Sequence, residues 1–267
     1  MIKDVWVKTV EDLMPLLTEQ DYRWDLDRHR NSYLYRGMPN SDYKMVTSLR
    51  RCCKEKQRVL EPAILGNFAK YAVQEDETVA LSFWYCMICG QHNGLPTRLL
   101  DWSHSALTAL HFATTEDNLE EMDDHDCVVW RVDMAELNGL LPGRYREELD
   151  QARTTIFTVP MLRRVTESLE QYDRDMENKA MVIVEPPSIN RRIISQYSFF
   201  SIVPMDMENI EGFLEARTEH TVRYIIDRKL RWRARDMLDQ LNISERMFFP
   251  GLEGLSKWIA RHYYVKN

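Results

Sequence analysis

Between Gly90 and Ala113 the chain reads GQHNGLPTRLLDWSHSALTALHFA. Gly94 and Pro96 break any helix arriving from upstream, and an apolar helical run begins again near Leu107. Gln91, His92, Asn93, Thr97, Arg98, Asp101, Trp102, Ser103 and His104 crowd into this broken turn. A plain connector has no use for so many different hydrogen-bonding groups. A rigid polar turn at the mouth of a helix is how folds build sites for small polar or anionic ligands.

Around this feature, strands and helices mix without a regular βαβ rhythm. Residues 2–8 read as a strand, and Thr9 caps a helix running to about Gln20. The charged stretch 21–32 reads as a surface loop. Tyr33-Leu34-Tyr35 reads as a strand ended by Arg36-Gly37, and residues 59–90 as mostly helical. Val128–Val132, Met181–Val184, the Arg191–Val203 segment and Val222–Ile226 supply further strands. Helices are expected over Asn209–Ala216 and Arg228–Gln240, with a proline-started helix at the end. Residues 140–180, highly charged and broken by Pro142 and Pro160, read as a helical insertion or mobile segment. The expected fold is α+β, a split and mostly antiparallel sheet with flanking helices, in one domain over residues 1–267.

The bulk numbers exclude some classes. With 267 residues, 44% of them hydrophobic, the chain can bury a large core without a staple. A net charge of −7 argues against a dedicated binder of duplex nucleic acid or anionic membrane, although Arg191-Arg192 forms a local basic patch. The five cysteines have no disulfide-like spacing, which points to a reducing, cytoplasmic compartment. No window approaches a membrane span and no signal peptide is evident. Cys86 and Cys89, near His92, lack the second ligand pair of a structural zinc site, so no metal is expected.

Three separated pieces carry a resemblance: Tyr35-Arg36-Gly37, the run from Gln91 to Trp102, and Arg192-Ile193-Ile194-Ser195-Gln196 with Phe199-Phe200. Together they resemble the FRG-domain family, named for an aromatic-Arg-Gly motif. The ending Phe249-Pro250-Gly251-Leu252-Glu253-Gly254-Leu255 is similar to that family's C-terminal segment. The resemblance implies an ADP-ribosyltransferase-like fold that binds NAD in the cleft of a split sheet. It also implies a place among toxin or phage-defence proteins. Fold alone does not establish catalysis.

Within that resemblance, Arg36 takes the place of the NAD-binding arginine on the first cleft strand, and Gly37 lets ligand approach the backbone. Arg36 with Arg98 would grip the pyrophosphate, Thr97 and Gln196 would position ribose, and an aromatic ring such as Phe200 would cover nicotinamide. Gln91 and His92 join the binding turn. Arg98 equally suits an internal pair with Asp101, and Asp101 equally suits a helix N-cap near Ser103. His111 follows the apolar spacing of its helix and reads as packed.

Gln196 stands where transferases of this fold place a glutamate that stabilises the oxocarbenium-like ribose. A neutral amide does this poorly, so the carboxylate would come from Asp101 or Glu185. Two other readings remain: a non-catalytic nucleotide sensor, and an RNA-cleaving toxin using His92 with a second histidine. No acceptor is named by the sequence.

Overall fold

A computed structural model describes residues 2–18, 20–187 and 195–266. Strand β1 (Lys3–Val7) leads through a 3-10 turn into the short helix α1 (Met14–Thr18). Thr9 and Asp12 cap that turn reciprocally: Asp12 N donates to Thr9 Oγ1 (3.3 Å) and Thr9 N to Asp12 Oδ2 (3.0 Å). The charged stretch is not a plain loop. It folds as a hairpin of β2 (Asp21–Arg23) and β3 (Arg28–Arg30), because Asp27 at φ 51° supplies the left-handed turn residue.

β4 (Tyr33–Met38) runs through Arg36-Gly37 instead of ending there. Helices α2 (Ser48–Cys53), α3 (Gln57–Ala72) and α4 (Phe83–His92) follow. Then come β5 (Leu99–Ser103), α5 (Ala106–Ala113), β6 (Cys127–Asp133), α6 (Met134–Gly139) and α7 (Gly143–Ala152). Next are β7 (Phe157–Thr158), α8 (Val159–Val165), α9 (Leu169–Met176), β8 (Val182–Glu185) and β9 (Ser198–Ile202). The chain closes with α10 (Ile210–Arg217), β10 (Val222–Ile226), α11 (Arg231–Gln240), α12 (Glu245–Phe248) and α13 (Leu252–His262).

Among the described residues, eight strands form one sheet in the order β1-β10-β6-β4-β5-β9-β8-β7. Its ladders are antiparallel except β1 with β10 and β7 with β8. The fold is therefore α+β around a mostly antiparallel sheet, as the irregular element order implies. β4 pairs with β6 over six positions, yet it meets β5 at a single pair, Tyr35 with Ser103. Beyond that pair the two strands splay apart.

The core follows the splay. One face is covered continuously: Leu34, Trp102, Val128, Trp130, Ile183 and Phe199 share one cluster. On the other face the core divides. Tyr33, Tyr35, Val129 and Tyr224 pack under α5 and α11 with Leu110 and Leu238. Leu99, Val182, Val184, Phe200 and Ile202 pack with Trp84, Tyr145, Leu162 and Tyr172. The 140–180 segment is thus a wall of the second half-core. Its α7 and α9 look charged because each buries only one stripe, Tyr145 and Leu149 or Tyr172 and Met176. Tyr172, fully buried, donates to Ile202 O at 2.7 Å and accepts from Val182 N at 3.1 Å, which ties α9 to the sheet.

Gly37 has a packing duty. A Cβ there would lie 1.9 Å from Ala109 O and 2.5 Å from Ala113 N. Only glycine allows α5 to lie this close to β4. At the C-terminus, α13 packs on α12. A buried ionic cluster joins them to α11. Arg261 Nε donates to Glu245 Oε1 (2.8 Å), its terminal nitrogens hold Asp239 at 2.7 and 2.8 Å, and Arg235 pairs with the same Glu245. Arg235 also meets His111 Nδ1 at 2.8 Å.

Candidate functional site

Where β4 and β5 part, a cleft of about 350 Å³ opens. Arg36 and Gly37 line it from β4, Asp101 and Ser103 from β5, Thr108 and Phe112 from α5, Gln91 from α4, Gln196 from the approach to β9 and Ser198 from its first position. The volume is at the small end of the range for ligand pockets.

The splay itself explains how Arg36 is held. Side chains alternate along a strand, so Arg36 falls on the side of Leu34 and Met38, opposite Tyr35 and Gly37. Its guanidinium crosses the opening, and Nη1 donates to the carbonyl of Asp101 at 2.7 Å. The guanidinium thus satisfies a strand carbonyl at the point where the ladder has stopped. Nη1 also lies 3.9 Å from Asp101 Oδ2. The Arg36 Nε is buried and has no partner among the described residues. Burial disfavours the charged form and lowers the Arg36 pKa from its usual value; Asp101 opposes this and Arg51 adds to it. A charged donor with unspent capacity at a partly open cleft is a natural anchor for an anionic or oxygen-rich ligand.

Asp101 is oriented by a relay. Leu99 N donates to Thr97 Oγ1 (3.1 Å), Thr97 Oγ1 to Gln91 Oε1 (2.6 Å), and Gln91 Nε2 to Asp101 Oδ2 (2.8 Å). Asp101 lies within β5 with its side chain 60% exposed, so it is not a helix cap. Ser105 takes that role, its Oγ accepting from Thr108 N. The carboxylate is thereby left for the cleft. Asp101 is the one carboxylate among the described lining residues.

Gln196 reaches the cleft from just before β9, not from the strand itself. Its carbonyl accepts from Ser103 Oγ (2.8 Å), and its amide donates to Phe248 O at 3.4 Å. Arg191 to Ile194, which include the basic patch and the start of the third motif, lie outside the described residues.

Other expected site residues are elsewhere. Arg98 is 3% exposed and turned into the interior. Its Nε donates to Glu61 Oε1 (2.7 Å), Nη1 to Asp173 Oδ1 (2.6 Å), and Nη2 to Glu61 Oε2. Those two carboxylates, not Asp101, are its partners, and they leave it no reach to a pyrophosphate. Thr97 is buried behind Gln91 and acts on the cleft only through it. Phe200 is sealed in the half-core with Leu99 and Ile202, so it covers no ligand. Tyr197, exposed at φ 47°, lines a neighbouring opening with His104. His92 faces a different groove, with Cys89 and Phe68. Glu185 sits at the end of β8, outside the cleft lining. Among the described residues, no group of three or more His, Cys, Asp or Glu is placed to hold a metal.

Ser103 of the polar turn also lines the cleft, and Thr108, Phe112 and Ser198 line it without a signal read from sequence. Thr108 and Phe112 stand four apart on one face of α5, a spacing that was readable once the helix was known to flank the site. Phe112 is backed by Phe248 and Phe249, with ring centroids 5.6 and 6.4 Å away. His111, next to it, is fully buried as its spacing predicts, and burial followed by Arg235 pushes its pKa down to about 3.

Among the described residues, no helix is long and apolar enough to cross a membrane. No curated protein and no solved structure matches the chain. Residues 31–122, which contain β4, β5, α5 and most of the cleft, match the family model of the FRG domain.

Proposed function

We propose that the cleft binds NAD or a related nucleotide and that the protein is an ADP-ribosyltransferase-like enzyme. In this reading the bond between C1′ of the nicotinamide ribose and the ring nitrogen breaks, and its electron pair leaves with nicotinamide. An acceptor, water or a macromolecule, supplies the new bond to C1′ and loses a proton. What supports the reading is the meeting of Arg36, Gln91, Asp101 and Gln196, from four separated segments, at one cleft where the sheet divides. Arg36 would hold phosphate or ribose oxygen. Asp101, aimed by Gln91, would stabilise positive charge at the ribose. Gln196, being neutral, would position a hydroxyl. Thr97 supports Gln91 and contacts no ligand.

A test uses pure protein and NAD labelled in the nicotinamide ring. Release of label is expected, with Asp101→Asn lowering the rate by about 10²-fold or more, as for other charge-stabilising groups. Release no faster than from an Arg36→Ala variant would refute catalysis. A second reading, a nucleotide sensor without chemistry, draws on one observation: the Gln196 amide is already engaged by Phe248 O and carries no charge. Calorimetry that finds nucleotide binding with no nicotinamide release would favour the sensor.

A further inference from the structure

A second opening lies away from the cleft, between α3 and α4. It is larger, about 890 Å³. Ile64, Phe68 and Ala72, one face of α3, line one side, and Leu95 and Pro96 line the other. Gln91 points to the cleft and the adjacent His92 to this groove, so the two openings sit on different sides of the same helical turn. At the mouth stand Glu75 and Asp76.

The charge at that mouth is one-sided. Among the described residues lining the groove there is no Lys or Arg, and the one basic side chain is the His92 imidazole. Lys70 sits over the Tyr71 ring, 5.2 Å from its centroid, and does not line the groove. Asp76 is fixed in place by accepting from Thr78 N (2.9 Å) and Thr78 Oγ1 (2.6 Å). Its field reaches inward: burial first, and then the Asp76 charge, push the Cys89 thiol up from its ordinary value. Cys89 is therefore a poor nucleophile, and the groove suits reversible binding. Phe68 adds an aromatic face that attracts cations, while the Tyr71 ring already carries Lys70.

We propose that this groove is a binding site for a small organic cation, an apolar body seated on α3 with its ammonium group at Glu75 and Asp76. The volume fits a drug-sized ligand, and the carboxylates select the charge.

The full chain is titrated by ligand-observed NMR with 4-phenylbutylamine and, separately, with 4-phenylbutyrate, which has the same body and the opposite head. The amine is expected to saturate one site and to bind at least five-fold more tightly than the acid. The double variant Glu75→Gln, Asp76→Asn, in which asparagine keeps the cap, is expected to narrow that ratio to less than two-fold. Ala72→Trp, which fills the floor, is expected to abolish amine binding. Equal affinity of the two probes, no saturation by the amine, or undiminished binding to a folded Ala72→Trp protein would each overturn the proposal. Should Ala72→Trp lower the melting temperature sharply, the double surface variant decides alone.

Discussion

Arg36 and the Arg235–Glu245–Arg261 cluster are both partly or fully withdrawn from water, and they are treated in opposite ways. In the C-terminal cluster the charge is matched inside the protein: Glu245 is shared by two arginines, and Asp239 takes the rest of Arg261. Burial alone would raise the Glu245 pKa, but Arg261 and Arg235 overcome it and hold it down at about 2. At the cleft Arg36 has one backbone carbonyl, a carboxylate 3.9 Å away, and a buried Nε with no partner. Among the described residues both sites leave one buried guanidinium Nε without a partner, on Arg36 and on Arg235, so the difference is one of charge: a cluster whose arginines share buried carboxylates holds a fold together. A guanidinium left with spare donors beside an opening is available to something else.

The sharpest way to break this contrast is Glu245→Ala. Two arginines would remain buried without their carboxylate, at a cost of about 3–5 kcal/mol, read from urea denaturation midpoints. Arg98→Ala should cost about 3 kcal/mol by stranding Glu61 and Asp173, while replacing Arg98, Glu61 and Asp173 together by apolar residues of similar size should recover most of it. If Arg98→Ala left stability unchanged and weakened nucleotide binding instead, the separation of structural from ligand-facing arginine would fail. Gly37→Ala comes next. Its Cβ would collide with the α5 backbone, and a loss of about 1–3 kcal/mol is expected in the same assay.

The pH dependence tests the cluster from another side. His111 has a folded pKa of about 3, against about 6.5 when unfolded. The unfolded chain therefore binds the extra proton first. The stability from neutral His111 is complete above pH 6.5 and is lost as pH falls from there towards 3. His111→Gln, which keeps an acceptor for Arg235 but does not titrate, should show a smaller loss of stability between pH 7 and 5. The smallest stability effect belongs to Arg36→Ala. Water can replace the guanidinium at a cleft this open, so less than about 1 kcal/mol is expected, together with at least a ten-fold loss of nucleotide affinity by calorimetry. A large stability loss without an affinity change would make Arg36 another interior tie.

Much of the architecture was readable in one dimension. Tyr33 to Tyr35, Val128 to Val132 and Val222 to Ile226 are strands because β-branched and aromatic residues run together there. The Asn209 cap marks its helix because its side chain accepts from Gly212 N. Leu99 to Ser103 was obscured because its flanking Pro96 and Ser105 look like turn punctuation, and because a five-residue strand leaves little pattern to read. From three separated motifs, sequence put Arg36, Gly37, Gln91, Asp101 and Gln196 forward for the cleft, and all five line it. Arg98, His92 and Phe200 were put forward on the same grounds and do not.

Local chemistry determined which groups this chain has to offer: an arginine beside a glycine on a strand, an amide and a carboxylate near a broken helix, and a glutamine where a glutamate was expected. It also determined that the elements would mix as α+β. Tertiary structure decided which of those groups meet. Arg36 and Arg98 are the same residue type, one within β4 and the other just before β5. One crosses a gap between strands that no longer pair, and the other turns inward to Glu61 and Asp173, residues 37 and 75 positions away. Adjacent side chains on a strand face opposite sides, and partners that distant leave no local trace, so only the folded sheet separates the cleft from the core.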